Sequence, residues 1–171
     1  MLLELPHDCD PRLRRFAAYM VAKALPGLLP GRQHIVPQEI PDLLPHIMLY
    51  DLVPRPSGGS RYRTRLIGTR VVDLLGADTT GKFVDEVLTG DRGAEIIAEY
   101  DQIAMSKRPG YLTGTLTNLG REHMRFQRAA FPLARDGMNV DMLALLMVGF
   151  DTRFHQVATE SAARDQAPKP L

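Results

Sequence analysis

The chain has 171 residues, of which 44% are hydrophobic and 24% are charged, and its formal net charge is +1 at pH 7. This length predicts one domain with a full core, and the charge balance argues against a nucleic-acid-binding protein that relies on a bulk positive field. The single cysteine, Cys9, rules out an internal disulfide, and no apolar run is long enough for a membrane span. The composition therefore predicts a soluble, cytoplasmic protein.

The first predicted element is an amphipathic helix that begins after Asp10 and ends before Pro26. Asp10 is a suitable N-cap, and Pro11 suits the first helical position. Apolar side chains recur at helical spacing at Leu13, Phe16, Ala17, Met20, Val21 and Ala24. Five prolines from Pro26 to Pro45 predict an irregular connector after it. We therefore divide the chain into a helix and connector at 1–30, a main domain at 31–151 and a polar tail at 152–171.

The main domain reads as two strands, three helices and three further strands. The first strands lie at 46–54 and 60–69, two short helices and a long one follow between 70 and 110, and the last strands lie at 111–117, 121–134 and 140–150. A turn at 118–120 and a hairpin turn on Asp136-Gly137 separate the last three. These elements predict an α+β fold with a five-stranded antiparallel sheet and helices on one face. Placing the first and last strands side by side at the centre would join the two groups, a step that the pattern does not establish.

The segment from Arg61 to Lys82 resembles a PAS domain, and is similar to a bacterial family of small single-PAS proteins. The matching residues form an R-x-R-x-x-G-T pattern and then a G-x-x-x-T-G turn, at Arg63, Arg65, Gly68 and Thr69 and at Gly76, Thr80 and Gly81. The later "FPLARDG", an apolar strand and Asp151 resemble the common end of a PAS domain. The resemblance extends from Pro41 to Asp151. It implies a PAS-like sheet and a sensory or interaction module without a known catalytic activity.

We interpret the glycines of this segment as structural. Gly68 and Gly76 tolerate the backbone angles that turn a strand into a helix within one or two residues, and Thr69 can cap the helix that follows. In the strand before them, three arginines (Arg61, Arg63, Arg65) alternate with Tyr62, Thr64 and Leu66. We expect the second set to point under the helices. The arginine face is either solvated or covered by the N-terminal helix, a second copy or an acidic partner.

The resemblance implies a ligand cavity between the long helix and the strands that face it. Its candidate lining residues are Tyr62, Thr64, Leu66, Phe83, Ile96, Tyr100, Ile103, Met124, Phe126, Arg128, Met142 and Ala144. Most of them would serve equally as core filling. Arg128 stands apart because it shares the inner face with Phe126 and could hold a carboxylate bidentately. It could equally pair with Glu99 or Asp101, or turn outward at a bulge near Pro132.

The cofactors known from PAS domains each require a residue that this chain does not supply in the usual place. A haem-binding PAS domain generally uses a histidine near the long helix, and no histidine lies between His46 and His123. A flavin photosensor needs a reactive cysteine beside the long helix, whereas Cys9 lies before the first predicted helix of the chain. Haem on His46 or His123 and a metal in the stretch from His7 to Asp10 stay open, and we assign no cofactor.

We expect a non-enzymatic PAS sensor or interaction module that binds a small molecule in its core and signals to a separate partner protein. A homodimer through the N-terminal helix and the sheet face is expected, and nucleic acid is not an expected partner. A small cone-like α+β enzyme of the isomerase or dehydratase type is an alternative, and it would need a buried His or Asp in the cavity, for which Asp141 is the candidate acid. A ligand-free dimerisation module would instead have a filled core.

Overall fold

The computed structural model describes residues 3–56, 58–116 and 121–151. Its elements in chain order are α1 Pro11–Lys23, β1 Ile47–Pro54, β2 Ser60–Ile67, α2 Thr69–Leu75, α3 Val84–Val87, α4 Gly90–Ser106, β3 Gly110–Leu116, β4 Arg121–Leu133 and β5 Met142–Asp151. Three single-turn 3-10 helices connect α1 to β1. This order confirms the predicted α+β fold. The predicted turn at 118–120 and the predicted tail at 152–171 lie outside the described residues.

The five strands form one antiparallel sheet in the order β2-β1-β5-β4-β3. The first and last strands therefore lie side by side at the centre, with Tyr50 opposite Leu143. Both faces of the sheet are covered at its centre, so β5 is buried from Met142 to Val148. Helices α2, α3 and α4 pack on one face, and α1 packs on the other. The sheet is thus the middle layer of the molecule.

Helix α1 is capped and packed as its sequence predicts. The Asp10 side chain accepts a hydrogen bond from the backbone N–H of Arg12, at 2.9 Å. Leu13, Phe16 and Met20 of the apolar stripe are fully buried against the face of the sheet opposite α2, α3 and α4, here called the outer face. Burying three large apolar side chains stabilises this contact by about 1.5–3 kcal/mol for each. The helix therefore shares a hydrophobic core with the sheet.

Two of the proposed roles at the end of β2 need correction, and a third is confirmed. Gly76 ends α2 in the left-handed conformation, with φ of +80°, as expected for a glycine C-cap. Gly68 has φ of −70°, an angle open to every residue, so backbone freedom does not explain its glycine. Space explains it, because an added Cβ would lie 2.4 Å from the Pro45 carbonyl oxygen. Thr69 is the first residue of α2 and makes no capping bond, so its predicted role as cap is wrong.

The arginines of β2 pair with acidic side chains of their own chain. Arg61 contacts Asp85 at 2.6 Å, and its guanidinium lies 3.7 Å from the centre of the Phe83 ring. Arg63 and Arg65 both lie beside the carboxylate of Asp51, at 3.2 and 3.3 Å. Helix α1 packs mainly on β4 and β5, so it is not the cover that we considered for these arginines. Exposed pairs of this kind add little stability, about 0–1 kcal/mol each.

A small polar cluster joins the first turn of α1 to the start of β1. Arg12 binds the carboxylate of Asp10 through Nε and Nη2, at 2.9 and 2.8 Å, and its Nη1 lies 2.9 Å from His46 Nε2. A guanidinium can only donate, so His46 Nε2 accepts and the ring is neutral. Burial lowers the pKa of His46, and the positive charges of Arg12 and Arg70 lower it further. The backbone carbonyl of Met147 and the nearby Asp10 act in the opposite direction without reversing the shift.

We predict that acid weakens the fold through His46. A histidine with a lowered pKa binds fewer protons in the folded than in the unfolded state. The stability that neutral His46 contributes to the fold is therefore fully present above about pH 6.5 and is lost as the pH falls through the folded pKa. Urea unfolding at pH 7.5 and 5.5 should show a loss of stability that His46→Gln reduces. The control His7→Gln, at an exposed residue, should keep the wild-type loss. Equal losses in all three proteins would contradict the assignment.

Candidate functional site

An apolar cavity of about 180 Å³ lies between the sheet and the helices α2 to α4. Met48 and Tyr50 of β1 and Met147 of β5 form part of its sheet side. Ile96 and Tyr100 come from successive turns of α4, because residues four apart share one face of a helix. Part of the periodic stripe of α4 thus forms a wall of the cavity while belonging to the hydrophobic core on this side of the sheet.

Arg128 of β4 brings a charge to the wall of this cavity, although the residue is only 5% exposed. Its Nη1 donates to the hydroxyl of Tyr100 at 3.1 Å, and its Nη2 donates to the carboxylate of Glu99. Its Nε is buried and has no hydrogen-bond partner. Of the three arrangements considered for Arg128, pairing with Glu99 is the one observed. The outward turn is excluded because β4 stays in register with β5 through Pro132.

The charge of Arg128 is balanced within the site. The Glu99 side chain is 22% exposed and that of Arg128 6%, so the pair runs from the edge of the domain to its interior. Burial acts to lower the pKa of Arg128, but the oxygens of Tyr100, Glu99 and Tyr50 outweigh it, and the net shift is upward. The guanidinium therefore remains charged. Breaking such a pair by removing one partner typically costs about 3–5 kcal/mol when both are buried, and less where one is part-exposed.

Three tyrosines pack beside the cavity. The ring of Tyr100 lies 5.3 Å from that of Tyr50 and 5.2 Å from that of Tyr62, and the Tyr62 hydroxyl donates to Asp101 at 2.6 Å. Burial raises the pKa of all three phenols, and in Tyr62 the Asp101 carboxylate adds to the effect. All three hydroxyls are therefore neutral at pH 7. They are positioned as hydrogen-bonding groups and not as nucleophiles or bases.

Five of the predicted site residues line the cavity, and three more lie behind its wall. The lining residues are Thr64, Ile96, Tyr100, Phe126 and Arg128. Tyr62 and Ile103 are buried in the same hydrophobic cluster, and Met124 packs partly buried against it, but none of the three reaches the cavity surface. The hydroxyl of Thr64 lies 3.3 Å from that of Thr79. Thr79 also lines the cavity, although the sequence did not predict it.

The predicted inward placement of Leu66 is wrong because β2 contains a bulge. Leu49 pairs with Leu66 whereas Tyr50 pairs with Thr64, so Arg65 is an extra residue in the ladder. An extra residue reverses the alternation of side chains beyond it. Leu66 therefore lies on the other face of the sheet and is 41% exposed.

The predicted inward placement of Met142 and Ala144 is also wrong, because the residues of β5 that face the cavity are shifted by one position along the strand. Both belong to the core on the α1 side of the sheet. Their neighbours Leu143, Leu145 and Met147 face the cavity side instead. Because β5 is apolar on both faces, its alternation carries no signal, and its pairing with neighbouring strands decides the direction.

Phe83, the remaining predicted residue, lies outside the cavity wall. It forms an isolated bridge with Arg63 and receives the Arg61 guanidinium on its ring. Tyr50, Met48 and Met147 also line the cavity, although the sequence pattern did not indicate them. The tyrosine was the available signal, since a phenol within the otherwise apolar "IMLY" of a central strand needs a polar environment for its hydroxyl.

The described residues around the cavity do not fit the cofactors considered above. None of the lining residues is a cysteine or histidine. A cavity of about 150 Å³ holds one benzene ring, so about 180 Å³ is too small for a three-ring flavin or a porphyrin. The ring of His46 is engaged by Arg12, and the side chain of His123 lies outside the described residues. Within the described ranges, no group of three or more His, Cys, Asp or Glu side chains could hold a metal ion.

Three further observations concern Asp141, Cys9 and the helices. The side chain of Asp141 is 46% exposed and lies 3.9 Å from Arg135, so it is not the buried acid that the enzyme interpretation requires. Cys9 is buried at 5% exposure, and burial raises the pKa of its thiol. Among the helices of the described part of the chain, none is both long and apolar enough to cross a membrane.

Comparison with known proteins agrees with this geometry. The family model for the PAS domain matches residues 10–147. The chain is similar to the PAS domain of BvgS from Bordetella pertussis, with 14% identity and a TM-score of 0.53 over 76% of this chain and 97% of that one. A light-oxygen-voltage domain solved with a flavin analogue gives 10% identity and a TM-score of 0.47 over 75% and 94% of the two chains. No curated protein sequence matches.

Proposed function

The chain belongs to the PAS domain family, and from this premise we propose a non-enzymatic sensor that binds a small molecule in its core and signals to a separate partner protein. The observation that carries the proposal is the apolar cavity with the buried guanidinium of Arg128 on its wall. Small-molecule sites are typically apolar enclosures with a few placed polar groups. The cavity has this form, although it is smaller than most.

A route for the signal is available through β4. Arg128 faces the cavity, and Phe131, three residues later on the same strand, packs on the outer face against Phe16 of α1. A ligand that moves Arg128 would also move the surface on which α1 rests. Such a change requires that the ligand bind one arrangement of β4 and α1 more tightly than the other.

The proposal includes a homodimer that uses the N-terminal helix and the sheet face. Most of the apolar stripe of α1 is already buried against its own sheet, so a second copy would contact the remaining sides of the helix. Sedimentation or light scattering at several protein concentrations tests this part independently of any ligand. A protein that stays monomeric throughout would remove the dimer and leave the cavity unaffected.

Native mass spectrometry tests the ligand part of the proposal. The protein purified from its own cells should show a native mass larger than the denatured mass, with the excess equal to one small molecule per chain. Val84→Phe, which adds a ring at a buried position on the cavity wall, should remove the excess while the fold persists. Adducts that persist in Val84→Phe, or an apo mass even after incubation with the small-molecule fraction of those cells, would contradict a ligand in this cavity.

A further inference from the structure

The buried part of the cavity wall offers a ligand no unbalanced charge. Arg128 is 5% exposed, and it donates to the Tyr100 hydroxyl and to the Glu99 carboxylate. Its charge is therefore balanced by a carboxylate of its own chain. None of the described lining residues is an aspartate or a glutamate. An anion in the cavity would thus compete with Glu99 for Arg128, and a cation would meet no carboxylate in the described wall.

Arg92 also lines the cavity, but it shares its charge with the solvent. Its side chain is 36% exposed, and its Nη1 lies 3.3 Å from a carboxylate oxygen of Glu95. A partly exposed pair of this kind raises affinity by a factor of about five at most. Taking an unpaired carboxylate out of water lowers affinity by about a hundredfold or more. The second effect is the larger, so the balance favours an uncharged ligand.

Apolar side chains from the sheet and from the three helices that cover it form most of the remaining wall. They include Met48, Phe126 and Met147 from the sheet and Leu75, Val84 and Ile96 from α2, α3 and α4. Such a wall gains affinity from the apolar surface that a ligand removes from water. The volume of about 180 Å³ is slightly more than the roughly 150 Å³ that holds a benzene molecule. The ligand is therefore limited to about one ring with a short substituent.

We propose that the cavity takes a small, uncharged, mainly apolar molecule of about one ring and excludes carboxylates and ammonium ions of the same shape. This inference rests on the proposed function, in which the cavity binds a small molecule, and it names the chemical class of that molecule. It replaces the carboxylate that the sequence suggested as a ligand of Arg128, because Glu99 already holds that position.

Three probes of similar size separate shape from charge: ethylbenzene, benzoate and benzylamine, which is an ammonium ion at pH 7. Binding to the whole protein is followed by NMR of isotope-labelled methionine methyl groups. Met48 and Met147 line the cavity and should report binding, whereas Met105 and Met138 are 83% and 57% exposed and serve as controls in the same spectrum. Ethylbenzene should shift the first pair alone and bind more tightly than either ion by about tenfold or more.

A larger probe tests the limit on size. Biphenyl, which has two rings, should leave the Met48 and Met147 signals of the wild type unchanged. Met147→Ala enlarges the cavity and should gain biphenyl binding, seen at Met48, whereas Met138→Ala shortens an exposed methionine and should behave as the wild type. Wild-type protein that binds biphenyl as tightly as ethylbenzene would contradict the one-ring limit.

The charged probes decide between this inference and its alternatives. Benzoate or benzylamine that binds as tightly as ethylbenzene, with shifts at Met48 and Met147, would overturn the inference and leave the proposed function standing. Tightest binding of benzoate that Arg92→Met abolishes would overturn it in favour of a carboxylate ligand of Arg92. Unchanged Met48 and Met147 signals with every probe would overturn both the inference and the proposed function. The wild-type series decides the question even if Met147→Ala does not fold.

Discussion

Replacing Gly68 by alanine is expected to lower the free energy of unfolding by about 3 kcal/mol, at the upper end of the usual cost of overpacking. The added Cβ would lie 2.4 Å from the carbonyl oxygen of Pro45 and 2.6 Å from that of Leu44. These are backbone atoms, so no side-chain rotation can relieve the contact. Gly68 also donates from its N–H to the Ile47 carbonyl at 2.8 Å, which ties the two segments together. Moving them apart would break that bond.

Thr69→Ala is the matched control for Gly68→Ala. It alters the neighbouring residue, which is exposed and makes no capping bond, so we expect a change below about 0.5 kcal/mol. Urea unfolding followed by circular dichroism measures both variants. A tolerated Gly68→Ala would show that the turn before β1 can retreat from β2. A large effect of Thr69→Ala would restore its predicted role as a cap.

Phe131→Ala should lower the free energy of unfolding by about 4 kcal/mol, within the range for deleting a buried ring. The Phe131 side chain is fully buried, and its ring meets that of Phe16 edge to face at 5.4 Å. The cavity that the substitution leaves lies beneath α1. We therefore expect hydrogen exchange to increase first in the amides of Pro11–Lys23, because this helix would lose part of its contact with the sheet.

Phe83→Ala provides the same substitution at a half-buried ring and should cost about 1 kcal/mol, mainly through the lost contact with the Arg61 guanidinium. The double variant Phe16→Ala with Phe131→Ala should cost less than the sum of the single variants, by about 0.5–1.5 kcal/mol. Strict additivity would mean that the two rings stabilise the fold independently. Unchanged exchange in α1 would separate the helix from β4 and remove the proposed signalling route.

Features set by neighbouring residues could be predicted from the sequence. The start of α1 follows from its Asp10 N-cap and from Pro11, and the left-handed end of α2 follows from Gly76. The hairpin on Gly137 has φ of +78°, and the Asp136 carboxylate accepts from the backbone N–H groups of Met138 and Asn139. Those bonds lower the pKa of Asp136 to about 2. Each signal acts within a few residues, where propensity and capping dominate.

The inward direction of Arg128 also followed from alternation along β4, because that strand mixes polar and apolar residues and so reveals its faces. The direction of β5 did not follow, because its residues are apolar on both sides. For this strand the pairing of Ala144 with Leu49 and Phe131 supplies the missing information. A sequence pattern defines a register only when one face differs from the other.

The site itself was decided by tertiary structure. The bulge at Arg65, the approach of Pro45 to Gly68 and the pairing of Arg128 with Glu99 all join residues that are distant in the chain or depend on a partner strand. The sequence determined which elements form and which face of β4 carries a charge, since these depend on local preferences. The tertiary structure decided that this charge is already balanced and leaves one donor free. That outcome depends on where α4 places Glu99 and Tyr100 against the sheet.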